Sequence, residues 1–104
     1  MRSTFKILFY VKKGSEKPNG NLPLMCRLTV DGEVKQFSCK MDVPPRLWDV
    51  KNGRATGKSV AAREINRQLD EIRASALHIY QEQSAIREGV TADDVKSLLL
   101  GMAS

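Results

Sequence analysis

The sequence predicts an α+β fold: a three-stranded antiparallel sheet packed against one long C-terminal helix, plus a short terminal helix. Three observations carry that expectation. Apolar residues alternate with polar ones through the first third of the chain, an Asp31-Gly32 dipeptide separates two alternating segments, and the stretch from Ser59 to Glu88 contains neither proline nor glycine.

The first strand is Phe5-Lys6-Ile7-Leu8-Phe9-Tyr10-Val11-Lys12. It sets Phe5, Ile7, Phe9 and Val11 on one parity and Lys6, Tyr10 and Lys12 on the other. Lys13 to Asn21 gathers Gly14, Ser15, Pro18, Asn19 and Gly20 among charges and reads as an exposed, mobile loop. Two further strands, Leu22 to Val30 and Glu33 to Met41, flank Asp31-Gly32, a pair suited to the positive φ angles of a type I′ turn. Pairing Val30 with Glu33 puts Leu28 opposite Lys35, Cys26 opposite Phe37 and Leu24 opposite Cys39. One face then carries Leu24, Cys26, Leu28, Phe37 and Cys39. The other carries Met25, Arg27, Thr29, Val34, Gln36, Ser38 and Lys40 beside Lys6, Tyr10 and Lys12. A one-residue slip would bury an arginine and expose two aromatic rings, so alternation fixes the faces.

Pro44-Pro45 cannot continue a central strand, because proline removes ladder donors, so the segment through Asp49 is a connector. Trp48 is expected to plug the gap between sheet and helix. Lys51 to Arg54 reads as a turn and Arg54 to Ser59 as a flexible basic stretch. Gly57-Lys58-Ser59 matches the end of a phosphate-binding loop, but Asn52 stands where that pattern needs its first glycine, which excludes it. Ser59 is a good N-cap for a helix whose stripe is Ile65, Leu69, Ile72, Ala76, Ile79 and Ile86, with Gly89 closing it. Thr91 and Asp94 have the spacing of a capping box for a second helix through Val95, Leu98, Leu99 and Leu100, stopped by Gly101. Its leucines either pack back on the domain or meet a junction.

At 104 residues, 41% of them hydrophobic and 28% charged, the chain has the composition of one folded domain. No apolar run approaches the roughly 18 residues of a membrane span, and the alternating start is no signal peptide, so a cytoplasmic protein with no membrane partner is expected. The single histidine, His78, lies in mid-helix without a partner signal. Asp42, Asp49, Asp70, Glu71, Asp93 and Asp94 form no facing pair, and Cys26 and Cys39 point to the core. No catalytic residue, metal site, cofactor or small-molecule substrate is expected.

The net charge of +5 conceals an asymmetry: Met1 to Lys58 holds 12 basic and 5 acidic residues, the remainder 5 and 7. A basic sheet half backed by a slightly acidic helix half points to a polyanion. Lys6, Tyr10, Lys12, Arg27, Thr29, Gln36, Ser38 and Lys40 on the outward face are the candidate DNA-binding residues. Arginine and glutamine bond base edges, serine and threonine reach bases or phosphates, and lysine neutralises the backbone. Double-stranded DNA read through its major groove is the expected partner. RNA-reading sheets rest on several exposed aromatic rings, and here only Tyr10 faces outward. On the helix, Arg63 and Arg67 are expected to pair with Glu64 or Glu71.

The segments STFKILFYVKK, RLTVDGEVKQFSCKMDV, PPRLWD, GRATGKS and VAAREINRQLDEI, in this order, span almost the whole chain. In them the sequence resembles the arm-type DNA-binding domain at the N-terminus of Bacteroides-type tyrosine recombinases, the integrases of conjugative transposons and prophages. The resemblance implies a sheet that docks in the major groove of arm sites flanking the recombination core, with the rest of the recombinase chain as a partner. The closing TADDVKSLLLG is similar to the lead into a core-binding domain, which divides the chain into an arm-type domain over residues 1–89 and a short helix over 90–104. The catalytic arginines, lysine or histidine and nucleophilic tyrosine of such recombinases have no counterpart here, and neither Tyr10 nor Tyr80 has suitable surroundings. This fragment is therefore not expected to cut DNA. The resemblance names no base-contacting residue, so the candidate list rests on strand parity. The alternative is a protein-interaction or assembly module of a mobile-element protein, using an exposed sheet edge and the Val95 to Leu100 helix.

Overall fold

The computed structural model describes residues 4–102; residues 1–3 and 103–104, the ends of the two expected segments, lie outside the described residues. Strands β1 (Phe5–Val11), β2 (Leu22–Val30) and β3 (Glu33–Val43) form an antiparallel sheet in the order β1-β2-β3. A single 3-10 turn (Pro45–Leu47) leads into a two-residue ribbon, β4 (Trp48–Asp49) with β5 (Arg54–Ala55). Helices α1 (Val60–Ile86) and α2 (Ala92–Met102) follow. The predicted α+β architecture is the observed one.

The central strand shows why the sheet has two different faces. Leu22, Leu24, Cys26, Leu28 and Val30 are buried, while Pro23, Met25, Arg27 and Thr29 between them are half-buried. The buried set meets Phe9 and Phe37 from the flanking strands and Ala62, Ile65, Leu69, Ala76 and Ile79 from α1. At about 25 cal/mol per Å² of apolar surface withdrawn from water, this one layer supplies the main drive to fold. Burial also pushes the Cys26 and Cys39 thiols up to about 12, with the two cysteines reinforcing each other at Cys26. Both thiols are therefore held in the protonated, unreactive form near neutral pH. Both cysteines should resist a disulfide-exchange reagent in the native protein and react in full in guanidinium; rapid native labelling of Cys26 would show that the core opens.

The hairpin turn forms as expected, with φ of 49° at Asp31 and 87° at Gly32. The Asp31 carboxylate also accepts the Thr4 backbone N–H at 2.7 Å, tying the start of β1 to the turn. Pairing runs as predicted from Val30↔Glu33 to Met25↔Ser38. It then departs: the register shifts between Met25 and Pro23, so that Pro23 faces Asp42 and Leu22 faces Val43, and the expected Leu24 to Cys39 pair is absent. Two extra residues of β3 are absorbed in a bulge where Lys40 takes a left-handed φ of 57° and its N–H donates to Ser38 Oγ at 3.0 Å.

Ser59 Oγ accepts the Ala62 N–H at 3.1 Å and caps α1. The helix stops at Ile86, with extended Arg87 as its C-cap, so Gly89 (φ 72°) serves the link to α2 and not the closing residue predicted for it. The capping box is present: Thr91 Oγ1 accepts the Asp94 N–H at 3.1 Å, and Asp94 Oδ2 accepts the Thr91 N–H at 2.9 Å. These bonds, with Arg87 ion-paired to the same carboxylate, hold Asp94 below the usual carboxylate range. α2 continues through Gly101 to Met102, so the expected stop at Gly101 is not observed; an open helix face tolerates glycine at a cost of about 1 kcal/mol. Val90, Val95 and Leu99 join the common core, and the Asp93 N–H donates to Glu33 at 3.2 Å. The second helix packs back on the domain.

The basic connector is tethered, which corrects the expected flexible stretch. Asn66 on α1 clamps Ala55 from both sides, its Oδ1 accepting the Ala55 N–H at 2.8 Å and its Nδ2 donating to the Ala55 carbonyl at 2.9 Å. Trp48 is buried in the core as predicted. The loop before β2 is exposed but internally bonded, with the Lys17 N–H on the Asn21 carbonyl at 2.8 Å and Asn21 Nδ2 donating to Asp42 at 3.0 Å. Among the described residues, no helix is long and apolar enough to cross a membrane.

Candidate nucleic-acid interface

Both helices lie on one side of the sheet, and the register lays out the other side as a grid. Lys6, Thr29 and Val34 form one row; Leu8, Arg27 and Gln36 the next; Tyr10, Met25 and Ser38 the third. Lys12 follows past the end of β1, where its N–H donates to the Pro23 carbonyl at 3.0 Å. Seven of the eight candidate residues therefore share this face by register. Lys40, the eighth, sits in the bulge, where strand parity no longer assigns a side; it is exposed beside Ser38.

The centre of the grid is organised by three side chains on three strands. The Arg27 guanidinium lies over the Tyr10 ring, 4.9 Å from its centroid, an arrangement favoured by the ring quadrupole. The Tyr10 hydroxyl donates to Gln36 Oε1 at 2.7 Å, bridging β1 to β3 above the central strand. Arg27 Nε is fully shielded and finds no acceptor among the described residues. Nε is therefore closed to any ligand, and the donors that Arg27 can offer outward are its terminal guanidinium nitrogens, held in place by the Tyr10 ring.

Parity also puts apolar side chains here, Met25 and Val34 as expected and Leu8, which is not among the residues assigned to this face from the sequence. Leu8 is 43% exposed and Val34 47% exposed. The signal was present, since position 8 shares the parity of Lys6, Tyr10 and Lys12. Such groups suit apolar contact with a thymine methyl.

Cations surround this face unevenly. Lys12, Lys13, Lys17 and Lys40 are exposed at or near the loop end of the sheet, while Asp31 and Glu33 mark the hairpin end. On α1 the guanidinium of Arg67 is committed, bonding Glu64 at 2.6 Å and Glu71 at 2.5 Å, and it holds the Glu64 carboxyl down at about 2. The pairing expected of Arg63 and Arg67 is thus observed for Arg67, with both partners, and not for Arg63, which forms no ion pair among the described residues.

A small α+β unit that leaves one sheet face uncovered, with cations at its margin and hydrogen-bonding side chains at its centre, has the make-up of a nucleic-acid-binding module. The family model for the arm DNA-binding domain matches residues 9–96, and the chain belongs to that family of DNA-binding modules of integrases. Comparison with curated proteins and with solved structures finds no match.

Proposed function

We propose that the uncovered sheet face binds arm-type sites in double-stranded DNA through the major groove, as the N-terminal module of a site-specific tyrosine recombinase of the Bacteroides type. The observation that carries the reading is the Tyr10–Arg27–Gln36 constellation, in which base-reading donors are fixed at the centre of an open face. A three-stranded sheet is narrow enough to present such residues to a major groove about 12 Å wide, as β-ribbon readers do. Lys6, Lys12, Thr29, Ser38 and Lys40 serve as phosphate or base contacts around that centre. Residues 90–104 form the lead toward the remainder of the recombinase, which acts in the cytoplasm.

Titration of labelled duplex by mobility shift tests this directly. Arg27→Ala and Gln36→Ala should each weaken specific binding by about 1 to 3 kcal/mol while thermal melting stays unchanged. Replacing Arg63 and Arg67 together should cost less than losing Arg27 alone, because Arg67 already serves Glu64 and Glu71. A larger loss from the double variant, with intact folding, would move the binding surface onto α1.

A further inference from the structure

Glutamine is among the side chains that recognise adenine. It does so with both ends of its amide, the oxygen accepting from the adenine amino group and the nitrogen donating to N7. In Gln36 the oxygen is engaged: it accepts the Tyr10 hydroxyl at 2.7 Å. The bond fills one of the oxygen's two acceptor sites and draws it along the sheet toward β1, so the end of the amide presented to a ligand is the Nε2 amino group, which only donates. Arg27, the directly paired residue on β2, has no acceptor atom at all, and its guanidinium is braced by the same tyrosine ring. Tyr10 therefore does two things with one side chain, carrying the cation on its ring and rotating the amide with its hydroxyl.

We infer that Tyr10 is a specificity-determining residue that turns the centre of the face into a donor-only reader and so selects guanine over adenine. This inference rests on the proposed DNA-binding reading and names the base that the site takes. Guanine presents two acceptors, N7 and O6, to the major groove, and two donors from Arg27 and Gln36 satisfy both. Adenine would set its amino group against a donor, leaving two unpaired donors in a desolvated contact. Thymine offers a single acceptor and cytosine a donor, so neither matches as well.

The test uses the 104-residue chain and its Tyr10→Phe variant, which keeps the ring beneath Arg27 and removes only the hydroxyl. Each protein is incubated with a random-sequence duplex pool, the bound duplexes are sequenced, and the enriched position is then compared as G·C and A·T in matched duplexes. The wild-type chain should enrich guanine and bind the A·T duplex about tenfold more weakly, a value within the usual range for one base contact. Tyr10→Phe should narrow that gap to about threefold or less, because the freed amide can meet adenine with both ends. Gln36→Met, which keeps length and removes the amide, should lower guanine preference without gaining adenine. Identical base preferences for wild type and Tyr10→Phe, or enrichment of adenine by the wild type, would overturn the inference. Salt-sensitive duplex binding with no base preference would also overturn it while leaving DNA binding by this face standing. Absence of duplex binding would remove both.

Discussion

Leu28→Ala is expected to lower the free energy of unfolding by about 2 to 5 kcal/mol, read from the urea midpoint at unchanged m. Leu28 is 0% exposed at the middle of the central strand, sealed between the flanking strands and the helix layer. Its neighbours are held by sheet hydrogen bonds and cannot collapse into the void, which places the loss in the upper half of that range. A domain of this size has roughly 5 to 15 kcal/mol in all, so the variant should be visibly less stable. Phe37→Ala makes an informative contrast. Phe37 is buried but lines an open groove with Cys39, Met41, Ile72, Leu99 and Leu100. Part of its space can be relaxed or refilled, and its loss should fall below the about 5 kcal/mol of a fully sealed phenylalanine. Should Leu28→Ala prove nearly neutral while Arg27→Ala unfolds the protein, the assignment of faces is reversed.

Duplex DNA affinity should fall steeply with salt, with a log–log slope of about −4 to −5 if about five phosphates are neutralised. Between 50 and 200 mM monovalent salt that slope predicts a loss of about 250- to 1,000-fold. The cations held responsible are Lys6, Lys12, Lys13, Lys17, Arg27 and Lys40, which are exposed or half-exposed on or beside the open face. Arg67 is left out because its charge is already matched. Removing Lys13 and Lys17 together should reduce the slope by about 2 without changing which sequences are preferred, since phosphate contacts carry no base information. A flat salt response would remove the electrostatic basis of the reading.

Much of this is legible in the sequence because a β-strand has a period of two. Once Asp31-Gly32 fixes the turn, parity decides the side of every residue from Met25 to Ser38, and the arginine stays outward because the alternative exposes aromatic rings. Past Ser38 the same reasoning fails at Lys40. The bulge adds two residues to β3, which leaves Phe37, Cys39, Met41 and Val43 on the core side but changes every pairing beyond it, and no residue type there announces it, since Lys40 adopts its left-handed φ without being glycine or asparagine. The clamp of Asn66 on Ala55 was hidden for a different reason: it joins an ordinary polar helix residue to backbone atoms, which have no sequence signature. At the site, parity supplied the members but not their mutual bonds. The Tyr10–Gln36 contact is diagonal across three strands and depends on side-chain reach, which a list of faces does not contain.

The two outer strands of the sheet bear on how copies of the chain behave toward one another. An unprotected strand margin is a template on which a second chain can build further sheet. Along β1 the carbonyl of Ile7 accepts from Arg73 at 3.2 Å, and the turn at Gly53 approaches the Phe9 carbonyl so closely that an added Cβ would lie 3.1 Å away. Along β3 the bulge at Lys40 breaks the straight row of donors and acceptors and sets a charged side chain there. Both margins are blunted, one by covering and the other by kinking. Several copies crowded on neighbouring stretches of one DNA molecule would then remain separate molecules, free to be released one at a time, without knitting into a continuous fibre.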